Sequence, residues 1–248
     1  MIIRNESFSW SDERELNFPR LKQVNDEIEG RYYLIPTENE KDEYEKIKLF
    51  SVTTVLGDDP QKKRAIYEWR KRVGEQEANR ISKFATGRGT GVHTLLEKYL
   101  RGNELDSEQI LPHLKEMFYS ALDSLKNITR IHCLEQRMFS RNLGIAGTVD
   151  GIVDWNGVPS IMDFKTSRRI KSKDHIEDYF LQTCAYAAMW KELTDKQFDQ
   201  VVIFIMVEEE SEPQVFIESV EKYTPFLLKR IKAFYRRRNL ELPAIFSR

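Results

Sequence analysis

Apolar and polar residues alternate through residues 133–140, 145–155 and 158–166, which is the period of half-covered strands. Residues 201–207, VVIFIMV, are apolar throughout and predict a strand covered on both faces, with 214–220 as its edge neighbour. Upstream, residues 31–36 and 47–52 read as short strands joined by the charged stretch 38–46. Helical spacing predicts a helix over 60–73, with Ile66 and Trp69 on its buried side, continuing through 74–84. The alternating glycines of GRGTG, Gly87, Gly89 and Gly91, are expected to interrupt it before a new helix over 90–101. Further helices are predicted over 108–126, 178–193 and 222–239. Strands bracketed by helices in this order predict an α/β fold, a central mixed sheet flanked by helices with a helical region on its N-terminal side.

Composition narrows the class. The 248 residues suffice for one sizeable core and are 40% hydrophobic and 32% charged, as in a globular protein. We expect a single domain over 1–248, made of an N-terminal hairpin extension (1–50), a helical region (51–130) and a sheet core (131–248). No run is apolar and long enough to span a membrane, and the N-terminus shows neither a signal nor a transit peptide, so a cytoplasmic location is expected. Cys133 and Cys184 supply neither a disulfide framework nor a four-thiolate cluster. Net charge is −1, so no global field favours polyanions. Basic residues nonetheless cluster at 62–64, 70–72, 168–173 and 229–238, and the stretches 62–72 and 168–173 are candidates for holding phosphates.

The turn Asn156-Gly157 between two alternating runs predicts a two-residue type I′ hairpin. Pairing then runs Trp155 to Val158, Val153 to Ser160 and Ile152 to Ile161, and sets Asp150 opposite Asp163. Lys165 shares the face of Asp163, opposite Thr148. Directly paired Cβ atoms lie about 4.5–5.5 Å apart, and like charges at that distance destabilise a bare sheet. A cation between the carboxylates relieves the repulsion. Asp, Asp and Lys on one face are the parts of a metal-dependent phosphodiesterase site.

Other side chains are candidates with open alternatives. If the turn after residue 140 is centred on Asn142 and Leu143, Glu135 joins Asp150 and Asp163 in a row across three strands; a bulged loop at Gly144 would shift that register and leave Glu135 an ordinary strand acid. His93 lies one helical turn before Glu97 and is either a ligand or a satisfied structural histidine; imidazole suits Mn²⁺ better than Mg²⁺. Gln182 and Tyr186 share a helix face and either support the site or sit incidentally beside an apolar stripe of Leu181, Ala185 and Met189.

Taken in order, His93, Gly147-x-x-Asp150, Asp163-Phe164-Lys165 and Gln182-x-x-x-Tyr186 resemble the RecB-like branch of the PD-(D/E)xK nucleases. The segment SVTTVL (51–56), followed by a Trp-bearing basic helix, is similar to the mitochondrial genome maintenance exonuclease family and its phage relatives. The likeness covers about residues 50–207 and implies a restriction-endonuclease-like core. It implies metal ligation by Asp150, Asp163, the Phe164 carbonyl and His93, with Lys165 catalytic. It assigns site-supporting and DNA-backbone roles to Gln182 and Tyr186. We expect Arg88, Thr166, Ser167 and Arg168 to contact nucleic acid as well.

The resulting expectation is a Mg²⁺- or Mn²⁺-dependent deoxyribonuclease, an exonuclease acting on single-stranded DNA with a free end. Repair or recombination is the implied setting, with any helicase or replication protein a separate chain and no membrane partner. A structure-selective or restriction-type endonuclease of the same fold, or a silent DNA-binding subunit, are the alternatives. Silence would be expected to erase Asp150, Asp163 or Lys165, and all three are present. A small-molecule metallohydrolase would need more ligands than four scattered histidines offer.

Overall fold

A computed structural model describes residues 2–3, 8–12, 18, 20–36 and 44–246. Among the described residues, the strands before the first α-helix are β1 (Ile2–Ile3), β2 (Ser9–Trp10), β3 (Lys22–Asp26), β4 (Gly30–Pro36) and β5 (Tyr44–Ser51). Helices α1 (Val52–Gly57), α2 (Pro60–Val73) and α3 (Glu75–Leu100) follow, then β6 (Leu105–Asp106) and α4 (Pro112–Leu125). The sheet core comprises β7 (Ile128–Ser140), β8 (Ile145–Trp155), β9 (Val158–Ser167), α5 (Glu177–Thr194), β10 (Gln200–Val207), β11 (Gln214–Ser219) and α6 (Val220–Arg237). The fold is the expected α/β arrangement, a large mixed sheet between helical layers.

Strand order is β11-β10-β9-β8-β5-β4-β3, with β7 on β8 and β2 on β7. β10 runs parallel to β9 and antiparallel to β11, which makes β11 the expected edge neighbour. One face of the sheet packs on α1, α5 and α6 through Ile152, Ile161, Ile203, Ile205, Phe180 and Trp190. The other packs on α3 and α4 through Val153, Met162, Phe164, Phe204, Leu96 and Phe118. Ile203 and Phe204 face opposite layers, so the unbroken apolar run of β10 is buried on both sides, each large side chain stabilising by about 1.5–3 kcal/mol. Among the described residues no helix is long and apolar enough to cross a membrane.

Three expectations change. The helical break falls at Gly74, not in GRGTG: Gly74 adopts φ +85° and separates α2 from α3, while α3 runs unbroken through Gly87, Gly89 and Gly91. Those glycines cost about 1 kcal/mol each in propensity; Gly91 lies close under Leu114, whereas Gly89 has an ordinary contact with Thr166 and Gly87 faces open space. Second, α2 buries none of its side chains; Ile66 is 54% and Tyr67 63% exposed, and Trp69 is half-buried. That face is only partly covered, so amphipathic spacing misled. Third, α4 starts at Pro112 rather than residue 108, with the proline in its first turn where no backbone N–H is needed. Smaller differences are the helical Val52, whose cap is Ser51 with its hydroxyl accepting from the Thr54 N–H at 3.0 Å, and the start of β7 at Ile128. Most of the expected loop over 38–46 lies outside the described residues.

Candidate active site

The hairpin forms as the turn chemistry requires. Asn156 and Gly157 both take positive φ (51° and 79°), and pairing follows the expected register from Trp155 opposite Val158 to Gly151 opposite Met162. Pairing stops there, one position short of Asp150 and Asp163. The other edge of β8 stays paired with β7, but the edge facing β9 passes to a different partner: Ile145 and Ala146 pair with Phe50 and Ser51 of β5. Residues 147–150 therefore lie in a gap where β9 and β5 diverge, with no strand opposite them on that side among the described residues.

The gap exposes backbone groups that need partners, and the site uses them. Asp150 Oδ2 accepts the Phe164 N–H at 2.7 Å, replacing the missing rung. In an extended strand the carbonyl of a residue points the same way as its N–H, so the Phe164 oxygen also faces the gap. On the β7 side the turn over residues 141–144 gives the register of the tight-turn alternative, with Gln136 opposite Val149 and Leu134 opposite Gly151. Those two pairs bracket Glu135 and Asp150. Glu135 itself takes φ +51°, and β7 changes phase here: Cys133 and Met138, five positions apart, pack into the same layer.

One ligand atom each from His93, Glu135 and Asp150 lie within 4.8 Å of one another. His93 reaches in from α3, its Nδ1 3.6 Å from Asp150 Oδ1 and its ring edge-on to Phe164. Asp163 stands outside this group, fully buried at 0% exposure. Neither of its oxygens accepts a hydrogen bond, and the Lys165 ammonium touches Oδ2 without hydrogen-bonding angles. The Lys165 ammonium also sits 5.1 Å above the Tyr179 ring. The cleft of about 310 Å³ is lined by Arg31, Tyr33, Ser51, Thr53, Gly147, Thr148, Gln182 and Tyr186 besides His93, Glu135, Asp150 and Lys165, with Asp163 buried behind them. Gln182 Nε2 donates to the Tyr186 hydroxyl at 3.1 Å, and a Cβ at Gly147 would come within 2.7 Å of the Tyr186 ring. Only glycine there lets the tyrosine reach the gap.

Electrostatics follows from burial and crowding. Burial raises the Glu135 carboxyl to about 7, with the Asp150 charge adding to the rise. Burial likewise pushes Asp163 up to about 6 despite the opposing pull of Lys165. Asp150 goes the other way: the cost of burial is outweighed by His93, Lys165 and the Phe164 N–H, which hold it below the usual range. Burial would lower Lys165 and His93, but the carboxylates overcome it and raise both. Burial raises Tyr186 well above its ordinary value, keeping it a neutral hydroxyl donor.

These residues fit a divalent cation. A buried carboxylate with both oxygens unsatisfied is costly unless something charged completes it, and three further oxygen or nitrogen donors converge nearby. Asp150, Glu135, His93, Asp163 and the Phe164 carbonyl are the groups that would hold it.

A pH dependence follows. Glu135 and Asp163 have folded-state values above their unfolded ones, so without metal their stabilising contribution is complete below about pH 4 and lost as pH rises through about 6 to 7. A cation competes with the same protons, so its affinity moves oppositely. Mg²⁺ should raise the melting temperature little at about pH 5.5 and progressively more toward about pH 8, with protons released on binding. Thermal melts with Mg²⁺ or EDTA across that range, with calorimetry in two buffers, check it; a metal-induced shift that is flat with pH would contradict it.

The remaining candidates are placed differently. Glu97 is bonded to Arg101, whose guanidinium also donates to the Leu134 carbonyl at 3.0 Å, so it braces α3 against β7. Arg88 is 4% exposed and ion-paired with Glu208, which Arg168 also approaches at 3.6 Å. Ser167 donates to the Arg169 carbonyl, and Thr166 lies beside Gly89. None of these four lines the cleft. The basic clusters are partly consumed internally as well: Lys62 pairs with Asp178, Lys63 with Asp58, Arg70 with Glu75 and Lys173 with Glu218. Conversely, Arg31 and Tyr33 come from the segment whose sequence is least informative, and no local spacing ties them to residues more than a hundred positions later.

The family model for the PD-(D/E)XK nuclease superfamily matches residues 63–235, more than half of the chain. The chain belongs to the PD-(D/E)XK nuclease superfamily. Among curated proteins, no sequence matches it. Membership supports a metal-dependent nuclease acting on DNA, in keeping with the His/Glu/Asp cluster found here. Within the superfamily match lie His93, Glu135, Asp150, Asp163, Lys165, Gln182 and Tyr186, whereas β3, β4, β5 and α1 precede it.

Proposed function

We propose that the protein is a Mg²⁺-dependent exonuclease that hydrolyses phosphodiester bonds of single-stranded DNA from a free end, with Mn²⁺ able to substitute. The observation that carries this reading is the form of the gap between β9 and β5. At about 310 Å³ it is at the low end of small-ligand sites and takes about one nucleotide. α3 brings His93 over one side of it, and α5 brings Tyr186 to another. On this reading a scissile phosphate is delivered on a flexible strand rather than on a stacked duplex.

A bound divalent cation would supply Lewis-acid polarisation and a water of lowered pKa. The chain's own groups do the rest. Asp150, held ionised, and Asp163 provide the negative field that selects the cation and excludes stray anions. Lys165 keeps its proton at Nζ and offsets charge that develops on the phosphate oxygens during attack. Tyr186, oriented by Gln182, donates to a phosphate oxygen. Arg88, Thr166, Ser167 and Arg168 belong, on this reading, to the path of the strand beyond the cleft, where exchange of Glu208 for phosphate would release the two arginines.

Linear and closed circular single strands of the same sequence separate exonuclease from endonuclease. With Mg²⁺, linear strands should be reduced to short oligonucleotides and circles should survive. Bulky adducts on both ends should protect linear strands. Rapid cutting of circles at the same metal concentration would instead establish the endonuclease of the same fold.

A further inference from the structure

We infer that the β3–β4 hairpin carries a backbone-phosphate subsite, with Arg31 as the residue that binds the phosphate. The inference rests on the nuclease reading and extends it to a part of the chain outside the superfamily match.

The hairpin pairs Gln23 with Tyr33 and Asn25 with Arg31, so these four side chains stand on one face. They are joined in series. The Tyr33 hydroxyl donates to Gln23 Oε1 at 3.3 Å, Gln23 Nε2 donates to Asn25 Oδ1 at 3.3 Å, and Arg31 Nε donates to the same oxygen at 3.1 Å. Tyr33 is buried at the bottom of this series, and Arg31 is exposed at its top. Both line the cleft that holds Asp150, Glu135, His93 and Lys165. Asn25 thus fixes the plane of the guanidinium through Nε, while its two terminal nitrogens have no partner among the described residues.

Charge argues for a phosphate there. Most of the basic clusters flanking the sheet have members spent on internal carboxylates, and Arg31 is the guanidinium that lines the cleft. A fork of parallel N–H donors fixed at one end matches the oxygens of a phosphodiester and favours Arg over Lys. A strand whose scissile phosphate lies at Asp150 would place a neighbouring phosphate within reach of the hairpin wall. Arg31 acts as a binding group, and Asn25 is a positioning residue acting through it.

The test uses the full chain and short thymidine oligonucleotides in Mg²⁺, reading KM, kcat and the salt dependence of KM. Arg31→Ala should raise KM about 10-fold, change kcat little, and lower the slope of log KM against log salt by about one, with an unchanged melting temperature. Arg31→Lys should restore the salt slope and only part of the affinity. Asn25→Ala should give a smaller rise in KM with the slope intact. Wild-type KM and slope in Arg31→Ala overturn the subsite while leaving the nuclease reading standing. Absence of any cleavage or DNA binding by the wild-type chain overturns both.

Discussion

Replacing Asp163 with Asn should abolish Mg²⁺-dependent cleavage and leave the fold in place. The side chain is fully buried, neither oxygen has a hydrogen bond, and burial pushes its carboxyl up to about 6. Such a group is a liability to the metal-free protein, and the Lys165 ammonium set against it keeps the Asp150 charge as a partner when Asp163 is neutral. Asparagine keeps the volume and removes the ligand charge. The loss in turnover should be about a thousand-fold or more, the several kcal/mol that a coordinated cation contributes to charge stabilisation. The Mg²⁺-induced rise in melting temperature should shrink in parallel, while binding of a short single strand persists. Turnover equal to wild type would remove Asp163 from the site.

Lys165 should behave differently, because two functions meet in it. Its ammonium is the counter-charge to Asp163, and truncation to Met leaves a buried carboxylate alone, which costs about 3–5 kcal/mol when the charge cannot be neutralised. Asp163 can take up a proton, so Lys165→Met should be nearly stable at about pH 5 and lose stability as pH rises past neutrality. Lys165→Arg keeps the charge and should fold normally. Its planar fork does not fit a pocket in which Nζ touches Asp163 and rests on Tyr179, so turnover should fall about 100-fold with metal affinity retained. Turnover by Lys165→Arg close to wild type would show that a positive charge alone suffices; equal stability of Lys165→Met at all pH values would contradict the buried pair.

The hairpin was legible because its information is local. Asn156-Gly157 sets both turn and register, and two strands of period two then place Asp163 and Lys165 without any knowledge of the rest. The turn over residues 141–144 extends the same reasoning to Glu135, whose position beside Asp150 follows from the register of β7. What local spacing could not supply was the divergence of β9 and β5. It arises because β5, nearly a hundred residues upstream, pairs with the start of β8 and takes the edge that β9 leaves. That long-range event makes the cleft, brings Arg31 and Tyr33 to its wall, and explains why Asp150 bonds to the Phe164 backbone instead of simply facing Asp163.

The helices show the complementary failure. GRGTG reads as a break when glycine propensity is considered alone, yet Gly91 sits where Leu114 leaves no room for a larger residue, and packing of α3 on the sheet outweighs the propensity cost. Ile66 and Trp69 have helical spacing, yet Ile66 stays exposed and Trp69 only half-buried, since amphipathicity records a face and not its partner. The basic stretches show a similar limit. A lysine's charge is visible in sequence, but the carboxylate that neutralises it, as Asp178 does Lys62, is visible only in the fold.

If the gap between β9 and β5 is a metal-dependent phosphodiesterase site, cleavage requires both the cation and the Asp163 carboxylate. End-labelled linear single-stranded DNA incubated with the wild-type chain and with Asp163→Asn, each in Mg²⁺ and in EDTA, tests it most directly. Short labelled products are expected from the wild type in Mg²⁺ alone, and intact strands in the other three reactions. Products in EDTA, equal products from Asp163→Asn, or intact DNA in every reaction would contradict it.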